Sequence, residues 1–344
     1  MGKKLLKQVI FASQKLYNWT PFHVPLEKTA PHWMQEQITA DLSQVQKGKV
    51  SSILTNPALV KQHKLMHYSI QNHRVFAKGY TEIQRAYPIT NALIFLAKEL
   101  PDMELVVSFH DHLDGVDLGI PIFVFAKDPS QASHILMPDF EALKGYRKIH
   151  QKVREGNARY PWKKKEAKCM WRGGMTGGDF TPDNFLNFSR SKAITTSLAA
   201  PDWLDARFTD LAQCENPDQI QRKFSAYFDP YLSIPDQLKQ KYQLVVDGNS
   251  CAYSKIYWGL FSSSLVIKQD SPNIQWYYPI LKPYEHYLPV SNNLLNILQW
   301  AKEHDEEARV IAEKSQQFAE ENLSSSKIIQ YFYLLLKEYQ KIMS

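Results

Sequence analysis

Apolar residues recur at helical spacing through HWMQEQITADLSQVQ, and TNALIFLAKEL repeats the pattern before Pro101. Between them HYSIQNHRVFAKG alternates as a short hairpin around Gln71, Asn72 and His73. Up to Pro101 the chain therefore predicts mainly helix with one polar hairpin. Two apolar, β-branched runs follow, ELVVSF at 104–109 and IPIFVFA at 120–126, the pattern of buried strands. From about Lys165 a strand–helix rhythm sets in. KCMWRG, LDARFT, YQLVVDG, SLVIKQ and HYLPV read as short strands, with NFLNFSRSKAITTSLA and AYSKIYWGLFSS as helices between them. Residues 291–343 carry three apolar stripes at helical spacing: Leu294, Leu295 and Leu298; Ala308, Ile311, Ala312, Phe318 and Ala319; Ile328, Ile329, Phe332, Leu335, Leu336 and Tyr339. These predict amphipathic helices packed on a core.

Strands alternating with helices predict an α/β fold, its parallel sheet covered on both faces, with ligands beyond the carboxyl ends of the strands. The 344 residues suffice for two domains. The expected boundary is near Tyr160-Pro-Trp-Lys-Lys-Lys165, where proline and a lysine triplet suit a solvated connection. Residues 1–164 would form an N-terminal domain and 165–344 a C-terminal one.

Composition adds little to this outline and excludes several classes. The chain is 44% hydrophobic and 22% charged, ordinary for a globular protein. Three cysteines, Cys169, Cys214 and Cys251, make no disulfide framework and no zinc motif, and they fit a reducing compartment. The net charge of +6 permits an anionic substrate or surface. Lysines and aromatics form no basic stripe or known module, which argues against nucleic-acid binding. In MGKKLLKQVIFASQKLYNW, Leu5, Leu6, Val9, Ile10 and Leu16 fit one side of a basic amphipathic helix. Such a helix either docks on its own core or touches an anionic membrane surface.

Four stretches carry candidate chemistry. VVSFHDHLDGVD (106–117) ends an apolar run in His110, Asp111, His112, Asp114 and Asp117. It reads as a metal site, a catalytic base or a polar loop. Adjacent residues of an extended segment point to opposite faces, so only His110 and His112 could chelate together. MWRGGMTGGD (170–179) has four glycines in six positions after a strand, a pattern that brings backbone N–H groups to an anion or makes a tight turn. Arg190, near the start of SRSKAITT, offers a bidentate cation to a diphosphate or lies on a helix surface. VDGNSCAYSKIYWGL (246–260) runs from strand through Asp247 and Gly248 to a helix. Ser254 is a capping type, and Lys255 in the first turn suits either an anion held there or solvent. NIQWYYPILKPYEHYLP (273–289) holds rings that stack on sugar or base, or simply pack.

The order WRGG, Arg190, LDARFT, VVDGNSCAYSKIYW, SSSLVIKQ, IQWYYPILKPYEHYLPV and closing helices resembles glycosyltransferase family 90 over residues 100–340. This family includes lipopolysaccharide-modifying and capsule-associated enzymes and the protein O-glucosyltransferases. The resemblance implies a GT-B-like fold, two Rossmann-like domains facing a cleft. It implies an inverting, UDP-sugar-dependent, metal-independent transferase with no other cofactor. The family's base matches Asp111, with Asp114 as the fallback. Its donor side matches Arg172, Gly173, Gly174, Arg190, Asp247, Gly248, Ser254 and Lys255, where lysine stands in place of the family's arginine. Expected partners are the UDP-sugar and a glycan or lipid-linked oligosaccharide acceptor, such as a lipopolysaccharide core. The alternatives are a serine of a folded small domain as acceptor, or a non-catalytic nucleotide-sugar-binding module. The absence of a signal-like segment and the few cysteines favour the cytoplasm, with peripheral contact at the inner membrane.

Overall fold

The computed structural model describes the backbone of Val9–Ile10 and residues 26, 29–48, 50–111, 113 and 115–344. The chain packs into two compact units. The first holds residues 1–146, 272–280 and 323–344; the second holds 147–271 and 281–322. This corrects the expected boundary at 164/165. The division falls before the basic helix that precedes Tyr160, and the last helix returns to the first unit. A turn rich in proline and lysine does not mark a boundary when the helix before it is anchored in the unit that follows.

In the first unit, β1 (Val9–Ile10), α1 (His32–Leu42), α2 (Pro57–Gln62), β2 (Leu65–Gln71), β3 (Arg74–Gly79), α3 (Ile83–Leu96), β4 (Met103–Ser108), β5 (Ile122–Val124), β6 (His134–Leu136) and α4 (Phe140–Leu143) surround one six-stranded sheet. Its order is β1-β3-β2-β4-β5-β6. The hairpin is tighter than a polar interruption would be. Asn72 and His73 both adopt positive φ, which gives the two-residue turn a twist that suits antiparallel strands. Six of the seven β2 residues are buried, so this hairpin is the middle of the sheet in a region read as mainly helical. Val9 and Ile10 pair with Ala77 and Phe76 of β3, so they are extended and not helical. The rest of the expected first helix lies outside the described residues, as do His112 and Asp114.

The second unit runs α5 (Arg147–Arg159), β7 (Glu166–Gly173), α6 (Ser189–Ala199), β8 (Leu204–Phe208), α7 (Pro217–Lys223), α8 (Ile234–Gln237), β9 (Gln240–Val245), α9 (Tyr253–Leu260), β10 (Leu265–Gln269), β11 (Leu288–Val290), α10 (Leu294–Glu303) and α11 (Asp305–Asn322). α12 (Ser325–Met343) then belongs to the first unit. All five strands are parallel, in the order β8-β7-β9-β10-β11. Alternate residues Cys169, Trp171, Tyr242, Leu244, Leu265 and Ile267 pack with Ile194, Leu298, Ala301, Ala308 and Ile311 of the helices in one buried cluster. That period of two on strands, set against helical stripes, is what the sequence pattern predicted. All three cysteines are free.

Candidate active site

The second unit's sheet reverses direction between β7 and β9: the chain moves outward from β7 to β8, then back across to β9. In doubly wound sheets this is where the loops leaving adjacent strands diverge and open a crevice at their carboxyl ends. The loops leaving β7 and β9 are the two glycine-bearing turns, 173–178 and 247–250. Gly177 has φ +109°, a backbone that an L side chain rarely adopts. A Cβ on Gly248 would lie 2.6 Å from Thr176 Oγ1 and 2.7 Å from Arg190 Nη2, so glycine is required for the turns to close on each other.

Arg190, in the first turn of α6, holds both turns. Its Nε donates to the Asp247 carbonyl at 3.0 Å. Nη1 donates to the Gly174 carbonyl at 2.7 Å and to Thr176 Oγ1 at 2.6 Å, and Nη2 to the Val246 carbonyl at 3.3 Å. The guanidinium sits 5.5 Å from the centre of the Trp171 ring. Four of the group's five N–H donors are thus committed to neutral acceptors. Among the described residues no carboxylate forms an ion pair with it. Burial pushes its pKa down to about 10, against the pull of Asp247 and Asp210. A bidentate contact to a diphosphate, as the sequence suggested, would need two open donors, and one Nη2 N–H is left.

Asn249 completes the stitching. Its Oδ1 accepts the Gly177 N–H at 3.0 Å, and Gln213 Oε1 accepts the same group at 3.1 Å. Burial raises the Asp247 carboxyl above its ordinary range; the Ser271 hydroxyl, Lys268, the Ala252 N–H and Arg190 pull the other way. By bonding the Ala252 N–H, Asp247 ties the turn to the start of α9. Ser254 lies in the first turn of α9, half-buried.

Two of the expected donor cations are elsewhere. Arg172 makes a bidentate pair with Asp205 at 2.8 and 3.0 Å and a further contact with Asp229 Oδ2 at 3.0 Å. On β7 it points to the opposite face from Trp171, because neighbours on a strand alternate. It is a structural ion pair and not a donor ligand. Lys255 lies in the first turn of α9 as expected, yet its Nζ donates to Gln237 Oε1 and Gln243 Oε1, both at 3.1 Å, and sits 4.0 Å over the Trp258 ring. Burial pushes its pKa down to about 7. The ammonium is turned into the packing between α9 and β9, not toward an anion.

Gly173 and Gly174 have a packing role in the turn: a Cβ would meet the Trp171 ring at 2.6 Å and the Asp210 carboxylate at 3.0 Å, respectively. No motif singled out Gln213, and Asn249, inside the 246–260 stretch, reads in sequence only as a capping type. An amide that bonds a loop amide carries no sequence signal until the loop is placed.

In the first unit, Asp111 follows β4 by three residues. Its Oδ1 pairs with Arg85 Nη2 at 2.8 Å. Arg85 also meets Glu82 Oε1 at 3.1 Å through Nε and donates to the Phe109 carbonyl, with its guanidinium 4.8 Å from the Phe140 ring centre. One arginine of α3 thus fixes the strand exit that carries Asp111. His110 Nε2 lies 2.9 Å from the Gln62 carbonyl, and Asp117 Oδ1 accepts the Gly119 N–H at 2.9 Å. The aromatic block is mostly packing: Trp276, 1% exposed, stacks with Trp33 and meets the Tyr331 ring at a tilt in the first unit.

The human protein O-glucosyltransferase 3 is 28% identical over 298 residues, which are 80% of this chain and 54% of that protein. The mouse protein O-glucosyltransferase 3 is 30% identical over 80% of this chain and 55% of its own length, and the human protein O-glucosyltransferase 1 is 26% identical over 81% and 72%. The chain spans about half the length of the first two relatives. Among solved structures, Anabaena Alr3699/HepE in complex with UDP-glucose aligns over 64% of each chain at 11% identity, with a TM-score of 0.40. The model of glycosyl transferase family 90 matches residues 27–344, and the chain belongs to that family.

Proposed function

We propose that the protein transfers a sugar from a UDP-sugar to an acceptor hydroxyl with inversion at the anomeric carbon. One observation carries the donor side: the two glycine turns at the carboxyl ends of β7 and β9 meet around a half-buried arginine with which, among the described residues, no carboxylate forms an ion pair. A diphosphate supplies the missing negative charge, and loop amides add donors without a net cost in charge. In a single displacement the acceptor oxygen bonds the anomeric carbon while the bond from that carbon to the diphosphate oxygen breaks. Asp111 takes the hydroxyl proton, and UDP leaves with its charge steadied by Arg190. Charge on the leaving group is met by Arg190, so the reaction needs no divalent ion and EDTA leaves it unchanged.

The acceptor we favour is a hydroxyl of a lipopolysaccharide core or related surface glycan. The names of the curated relatives favour a second reading, a serine of a folded small domain. Incubating the protein and UDP-sugars with a truncated lipid oligosaccharide and, separately, with a folded epidermal-growth-factor-like domain separates the two by which one gains mass. Asp111→Asn tests the chemistry. Turnover falls by about 10²–10⁴, the range of general base catalysis, while UDP-sugar binding by calorimetry stays within twofold. Near-normal turnover in that variant removes Asp111 from the reaction.

A further inference from the structure

Charge is distributed very unevenly along this chain. Residues 147–165 hold eight Lys or Arg and one Glu, a net +7, while the whole chain carries +6. The other residues together carry a net −1. Within this segment Lys165 is buried against the Leu238 carbonyl, while Arg147, Lys148, Lys152, Arg154, Arg159, Lys163 and Lys164 are all exposed.

The inner face of α5 is firmly seated in the second unit. Asn157 donates to the Phe261 carbonyl at 3.2 Å and accepts the Ser263 N–H at 2.9 Å. His150 Nε2 lies 3.0 Å from the Tyr257 hydroxyl, and a Cβ on Gly156 would strike Leu238 at 2.7 Å. The outer face is left to the cations. Among the described residues, the seven exposed cations have only one carboxylate within 4 Å, Asp236 at 3.6 Å from Arg159. Glu155 is the one acid on that face. A helix of 13 residues displays this charge over roughly 20 Å, and Lys163 and Lys164 extend it into the next turn.

We propose that the outer face of α5 and the 163–164 turn dock the protein on an anionic phospholipid surface. The chemistry favours a bilayer over other polyanions. The exposed helix positions carry Gln151 and Ala158 besides the charges, with no ring to stack on bases. The cations spread over several turns along one exposed helix face, which matches a plane of headgroups. Attachment is peripheral and electrostatic, since no described helix is long and apolar enough to cross a membrane.

The test is co-sedimentation of the full chain with phosphatidylcholine vesicles, with and without about one-third phosphatidylserine. The wild type binds only the anionic vesicles and is released by roughly 0.5 M salt, where the screening length is a few ångströms. Each basic residue near such a surface is worth about fivefold in partitioning, so the Lys148→Ala, Lys152→Ala, Arg154→Ala triple variant binds about a hundredfold more weakly. The triple Lys98→Ala, Lys302→Ala, Lys314→Ala removes equal charge elsewhere and binds as wild type. Unchanged UDP-sugar affinity in both variants shows that they are folded, and Lys163→Ala with Lys164→Ala repeats the test outside the helix. Failure of the wild type to bind, or equal weakening by the two triples, overturns the proposal, as does a helix variant that loses binding to heparin but keeps binding to vesicles. None of these readouts depends on Asp111 or on turnover.

Discussion

Arg172, buried, and Arg190, half-buried, both lie near the carboxyl ends of strands in the same sheet, and they have opposite surroundings. Arg172 meets the carboxylates of Asp205 and Asp229. Arg190 meets three carbonyls, one hydroxyl and the face of Trp171. A buried cation neutralised by acids contributes to holding a fold and has nothing left for a ligand. A half-buried cation hydrogen-bonded only to dipoles, with Asp247 and Asp210 pulling from further off, keeps its charge, at a desolvation cost visible in its lowered pKa, and gains from an anion that arrives. Lys255 is a third solution. Burial, with Arg172 nearby, lowers its pKa to about 7, while its ammonium donates to two glutamine oxygens. Position beside a glycine loop therefore says less about a cation's role than the charge state of its acceptors.

The sharpest break between the two arginines is kinetic. Arg190→Lys keeps a charge but loses the planar fork that ties both turns, and kcat/KM falls by about 10²–10³, with weaker UDP binding. Arg172→Met, by contrast, lowers unfolding free energy by about 2–3 kcal/mol, since it strands two partly exposed acids, and leaves the kcat/KM of the folded fraction within a few-fold. A reversal of these two results, read by urea unfolding and steady-state kinetics, would invalidate the assignment.

Lys255→Met sharpens the third case through pH. The folded-state pKa is about 7 and the ordinary value 10.5, so between these limits the unfolded chain binds the extra proton. Wild-type stability therefore rises with pH through this window, and the variant lacks that rise, by about 2–4 kcal/mol. Thermal or urea unfolding at pH 7 and pH 10 measures the difference. UDP-sugar affinity stays within twofold in this variant; a tenfold loss would return Lys255 to the donor site. The smallest effect belongs to Asn249→Ala, which removes one of two acceptors on the Gly177 amide. It raises the KM for donor about three- to tenfold, with kcat little changed.

Several elements were legible from pattern alone. The five strands of the second unit, the three closing helices and the Asn72–His73 turn sit where period two, period 3.6 and turn chemistry placed them. α5 was missed because Ile149 and Val153 are its only large aliphatic residues. Its inner face is made by a glycine, an asparagine and a histidine that find partners on α8 and α9. Glycine turns and Arg190 were visible as motifs, whereas the commitment of Arg172 to Asp205 and Asp229 was not. Those acids lie 33 and 57 residues away and carry no mark in sequence.

By itself the sequence determined the family, the parallel sheet of the second unit and the two glycine turns that follow its strands. Periodicity and local turn chemistry depend on neighbours along the chain, and family motifs are strings, so all three are written in order. Which cation keeps an unmatched charge, which acids neutralise the others, and which arginine fixes Asp111 were decided only by tertiary structure. Electrostatic balance is a sum over groups near in space, and packing brings those groups together from distant parts of the chain.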